Sequence, residues 1–143
     1  MEYNRSVRRT MEFQDILVKF KQVKNFDPDG LLQLKEDTDE SVAIKILARF
    51  FITLEESLNL VAASLKNGEL NEIFKGSHKI AGSADLVGFS SFAKKSRQIS
   101  SDVKIMPNDS FSELHHEVTD YINDGQTMIA QMKEAFPDYK SFI

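Results

Sequence analysis

Imidazole is the side chain through which this protein has most scope for chemistry. Three histidines occur and cysteine is absent, which removes thiol catalysis, disulfide frameworks and cysteine-ligated zinc. A Gly-rich phosphate loop, an HExxH pair, an EF-hand loop and a GxSxG elbow are all missing. The 22 carboxylates fall mainly on polar helix faces, where solvation is their ordinary role. His115 and His116 are sequence neighbours and project about 100° apart on a helix, so they do not readily share a site. Glu113 and His116 make one Glu-x-x-His step, but a di-iron bundle needs a second copy and two inward glutamates. No metal site is expected.

His78 stands apart through its surroundings. On a helix turning about 100° per residue, Leu70, Ile73, Ser77, Ile80, Ala81 and Ala84 form one stripe, and His78 lies about 110° from its centre. That places it on the flank, leaning toward solvent. Gly82 follows one turn later, within about 40° of the histidine. A helical side chain covers the turn before its own Cα, so glycine here leaves the ring open to a large partner. Interior glycine costs a helix about 1 kcal/mol relative to alanine, and this segment carries both Gly76 and Gly82. Lys75 and Lys79 lie on the solvent side of the histidine and favour an anion at the ring, each pair worth only about 0.2–1 kcal/mol when exposed.

Long helices must position this residue. The chain has 143 residues and 41% apolar content, enough for one domain with a true core. Its three prolines, Pro28, Pro107 and Pro137, fall between helical patterns. Phe13, Ile16, Leu17, Phe20 and Val23 step by three and four, predicting a helix from Met11 to Asn25. FDPDG at 26–30 is turn chemistry leading into a short helix through Leu31, Leu32 and Leu34. A longer helix is predicted from about Asp39 to Lys66, stopped by Asn67-Gly68. Others follow from about Glu69 to Leu86, from Phe89 to Val103, and from Phe111 to Phe136, with Asp109 or Ser110 as the cap of the last. The expected fold is all-α: an antiparallel up-down four-helix bundle with additional N-terminal helices packed across it. A polar tail is expected over residues 1–10 and the bundle domain over 11–143.

A net charge of −4 lacks the basic face that nucleic acid requires. No apolar run reaches membrane-spanning length, and MEYNRSVRRT has no apolar signal core. A cytoplasmic monomer is the expectation.

The run SHKIAGSADLVGF at 77–89 resembles the signature of histidine-containing phosphotransfer (HPt) domains. His78, Ile80, Gly82-Ser83 and Gly88 occupy its spacing, and the likeness extends over roughly residues 26–104. The resemblance implies that His78 is the phosphoacceptor of a phosphorelay intermediate without kinase activity of its own. It takes a phosphoryl group from a receiver-domain aspartate and passes it to another receiver. Implied partners are response-regulator receiver domains and a hybrid histidine kinase. No cofactor is implied for this chain, since magnesium resides on the receiver. Two positions depart from the family pattern: Ala81 stands where a lysine is usual, and Ser100 where a polar glutamine is frequent. The missing lysine keeps open a second reading, a helical module that binds a receiver or other partner without transfer. A histidine-kinase dimerisation domain fits poorly, because Lys79 follows the histidine where an acidic residue is usual. Ile44 and Phe51 widen the apolar face of the 39–66 helix, either as part of a receiver-docking patch or as core beneath the N-terminal helices.

Overall fold

In the computed structural model, residues 12–105 and 111–143 are described. Among the described residues six α-helices follow in order: α1 (Phe13–Phe20), α2 (Pro28–Asp37), α3 (Glu40–Asn67), α4 (Leu70–Ala84), α5 (Ser90–Ile105) and α6 (Phe111–Ala135). Two 3-10 turns add to them, Asp85–Val87 and Tyr139–Phe142, and no strand occurs among the described residues. The expected tail over 1–10 and the expected cap at Asp109 or Ser110 lie outside the described residues.

Local chemistry sets the boundaries. Asp27 caps α2 by accepting from the Asp29 amide, with Pro28 at the first helical position. Asp39 caps α3 through the Val42 amide at 2.8 Å. Gly68, at φ 72°, ends α3 in the left-handed conformation. The first helix is shorter than the 11–25 pattern predicts, because the chain turns after Phe20 and Asn25 adopts φ 70°. Tertiary bonds hold that turn: the Lys24 amide donates to Gln131 Oε1 at 2.6 Å, and the Asn25 side chain donates to Asp124 at 3.0 Å. The histidine helix also stops earlier than Leu86, tightening into the 3-10 turn that Gly88 closes at φ 100°.

Helices α3 to α6 form an antiparallel up-down bundle. Ser96 meets Tyr121 and Lys95 meets Asp124 across α5 and α6, while Leu58 packs at Gly125 and Glu55 pairs with Lys133 across α3 and α6. In each case rising numbers on one helix meet falling numbers on the other. Helices α1 and α2 close one end. There Phe20 packs edge-on against Phe26, Phe89 and Phe136 at 5.4, 6.5 and 6.3 Å between ring centres. A Cβ on Gly30 would stand 2.6 Å from the Gly88 Cα, so α2 and the turn after α4 approach as bare backbones.

Two carboxylates on α6 respond oppositely to their settings. Asp124 is buried between Lys24 at 2.6 Å and Lys95 at 2.8 Å. Burial opposes its ionisation, but the two ammonium groups and the Asn25 amide outweigh burial and hold its carboxyl below the usual range. Glu117, on the seam with α5, is pushed up to about 7, first by burial and then by its hydrogen bond to Asp102 and that group's charge. A raised carboxyl pKa favours the fold while the group is protonated, so this contribution is full below its ordinary value and is lost as pH rises through about 7. Glu117→Gln is therefore expected to flatten the stability profile. Between about pH 5 and about pH 8 the melting temperature of the wild type should fall relative to that of the variant; parallel melting curves would contradict the assignment.

Candidate functional site

The site is built on α4, whose rotation is set on two sides. Toward α3, a Cβ on Gly76 would lie 2.6 Å from Val61 Cγ2 and 3.1 Å from the Ser57 carbonyl, so only glycine permits this approach. Toward α5, the buried Ser77 hydroxyl bonds the Ile73 carbonyl and lies 2.8 Å from the Ser100 hydroxyl. Ser100 in turn reaches the Ser96 carbonyl at 3.0 Å, and Ser96 lies 2.6 Å from the Tyr121 hydroxyl. These hydroxyls satisfy one another inside the bundle, as buried polar groups must. Burial raises the Tyr121 phenol well above its ordinary pKa, so it remains a neutral partner.

With Ile73, Gly76, Ser77, Ile80, Ala81 and Ala84 buried, the same helix leaves His78 exposed. A Cβ added at Gly82 would meet nothing within 4 Å. The two glycines of α4 therefore differ in kind: Gly76 is needed for close packing, whereas Gly82 opens a face. Lys79 is exposed and has no ion-pair partner among the described residues. Lys75 is exposed but pairs with Glu72 at 3.3 Å, so the two lysines are not equivalent sources of positive charge. Ala81 is only 3% exposed, and Ser100 is turned into the hydroxyl network, so neither departure from the family pattern presents a polar group on the open face.

The helical stripe did not include Phe74, which is half-buried one turn before His78. Its ring stacks on the imidazole, with centres 5.5 Å apart and planes within 9°. The signal was the four-residue spacing of two aromatic rings on one helix. Leu86, 50% exposed, sits in the turn beyond Gly82, and an ion pair of 2.6 Å between Arg97 and Asp85 ties that turn to α5. Ile44 and Phe51 belong to the core instead. They are 6% and 0% exposed, and Phe51 stacks on Tyr139 of the C-terminal turn at 3.9 Å. Buried in this way they offer no docking surface, and part of the cover of Phe51 comes from a segment that the sequence pattern did not reveal.

His115 and His116 are exposed on α6, the helix diagonal to α4. His115 lies by the Thr119 hydroxyl and His116 is 3.6 Å from Asp120. The three histidines are not brought together. Among the described residues no group of three or more His, Asp or Glu is placed to hold a metal ion, and no helix is long and apolar enough to cross a membrane.

The model of the Hpt domain family matches residues 45–124, over half the chain, taking in all of α4 and α5, most of α3 and more than half of α6. No curated protein and no solved structure matches the chain.

The glycine geometry predicts opposite stabilities for one substitution at two places. Gly82→Ala should raise stability in urea unfolding by up to about 1 kcal/mol, as helix propensity dictates. Gly76→Ala should lower it by about 1–3 kcal/mol through overpacking against Val61. Equal effects of the same sign would contradict this distinction.

Proposed function

The chain belongs to the Hpt domain family, and from that premise we propose that it is a phosphorelay intermediate whose phosphoacceptor is His78. The observation that carries this reading is an exposed imidazole on a helix face left open by Gly82. In the proposed reaction a ring nitrogen of neutral His78 attacks the phosphorus of a receiver aspartyl phosphate. The N–P bond forms as the P–O bond to the aspartyl carboxylate breaks, and the carboxylate leaves with the electron pair. The same exchange in reverse hands the group to a second receiver. Transfer of this kind depends on positioning and charge neutralisation more than on covalent chemistry supplied by the protein. The receiver contributes the aspartate and the magnesium; this chain contributes the nucleophile and the surface around it. Response-regulator receivers, among them that of a hybrid histidine kinase, are the proposed partners, and the cytoplasm the proposed site of action.

Charge near the ring falls to Lys79 in this reading, with Lys75 engaged by Glu72. A flexible ammonium on a wet face stabilises a nearby phosphate weakly and less so in salt. The buried Ala81 supports one alternative: a module that binds a receiver without transferring the group.

Incubation with a panel of phosphorylated receivers separates the two readings. Acid-labile label should appear on the wild type and be lost in His78→Gln, while His115→Gln and His116→Gln retain it. Full labelling of His78→Gln would end the assignment, and receiver binding without any label would favour the alternative.

The lysine assignment makes its own prediction. Lys79→Ala should slow transfer modestly, about twofold to fivefold at low salt, with the difference shrinking as salt rises. Ala81→Lys should speed transfer while lowering the melting temperature, because its stem must bend out of a buried position. Silence of both variants in stopped-flow transfer would assign phosphoryl stabilisation to the receiver alone.

A further inference from the structure

A nucleophilic ring nitrogen carries its lone pair in the plane of the imidazole. For in-line attack the lone pair must point along the P–O bond being broken, so rotation of the ring about its Cβ–Cγ bond moves the lone pair out of line. Something must hold that plane. The usual lysine position is occupied here by the buried Ala81, which offers no charge to orient the phosphoryl group. What does lie against the imidazole is Phe74, parallel to within 9° at 5.5 Å. The phenyl ring is itself anchored: it packs against the core and lines a shallow groove between α4 and α5 with Leu70, Asn71, Val103 and Lys104. It is thus a braced platform beside an exposed nucleophile.

We propose that Phe74 is a positioning residue for phosphotransfer, holding the plane of the His78 imidazole in an orientation from which its ring nitrogen attacks in line. The inference rests on His78 being the phosphoacceptor. In the step concerned, the N–P bond forms while the aspartyl P–O bond breaks, the carboxylate takes the electron pair, and the second ring nitrogen keeps its proton. Phe74 exchanges no proton and makes no bond. It restricts the ring before the receiver arrives, so that less orientational freedom is lost on reaching the reactive geometry. A contact of this kind acts on the rate within the docked complex and leaves the strength of docking nearly unchanged.

Single-turnover transfer supplies the test, using as donor the receiver that charges the wild type fastest after treatment with acetyl phosphate and magnesium. Phe74→Leu keeps apolar bulk in the groove but removes the ring face. It should lower the saturating rate by about threefold to tenfold, as expected for losing one aromatic stack, with the half-saturating concentration moving less than about twofold. Phe74→Tyr restores the ring and should recover most of the rate. Phe74→Met, which fills the groove without a ring, should fall with the leucine variant, so that a folding defect in one substitution does not decide the matter. An unchanged saturating rate in Phe74→Leu or Phe74→Met would overturn the proposal. So would a loss confined to the half-saturating concentration, which would make Phe74 a docking contact. A wild type that takes no label would overturn the phosphoacceptor assignment itself, whereas labelled wild type with equally fast variants would overturn only the role of Phe74.

Discussion

The approach of α4 to α3 at Gly76 is the constraint from which the rest of the site follows. A methyl group there would stand 2.6 Å from Val61, so the helices meet at a distance only a glycine allows. Contact at one residue fixes how α4 is rotated, and the Ser77–Ser100 bond on the other flank fixes it again. Given that rotation, the next two positions have no choice of direction: Ser77 enters the bundle and His78 leaves it. Exposure of the imidazole is thus a consequence of packing on the opposite side of its helix. The imidazole owes its placement to contacts made by the buried faces of its own helix.

The open face has a sparse electrostatic character. Lys75 is held by Glu72, and the turn that follows the histidine presents Gly82 and a buried Ala81. Strong charge recognition is located elsewhere, in the clasp of Lys24 and Lys95 on Asp124, where it joins the N-terminal turn to α5 and α6. Charge therefore secures the fold at one seam, while the histidine face is shaped mainly by access and ring stacking. An Hpt domain needs little more from its own chain if its receiver supplies the metal and the carboxylate, because phosphoryl transfer rewards alignment.

Helical periodicity was sufficient to locate α3, α4, α5 and α6 and to put His78 on a flank, since amphipathic stripes record which side of a helix is buried. The same information failed at the first helix. Val23 continues its spacing, yet the chain turns after Phe20 because Gln131 and Asp124, more than 90 residues away, capture Lys24 and Asn25. Ile44 and Phe51 extended an apolar face, and nothing local distinguished a docking surface from a face covered by Tyr139. Gly76 and Gly82 look alike as letters; only the neighbouring helix separates a packing requirement from an opening. Phe74 was missed because a stripe fitted to the core omits residues at its edge, and that edge is where the histidine finds its support.

In the proposed relay one exposed imidazole, placed by the rotation of α4, carries the phosphoryl group. The most direct measurement is phosphorus–nitrogen coupling in a nuclear magnetic resonance spectrum of nitrogen-15 histidine-labelled chain, charged by a phosphorylated receiver and left unmodified in sequence. One phosphorus signal coupled to a single ring nitrogen is expected, with the shifted imidazole resonances assigned to His78. Coupling at His115 or His116, or a phosphorus signal with no nitrogen partner such as an acyl phosphate, would contradict it.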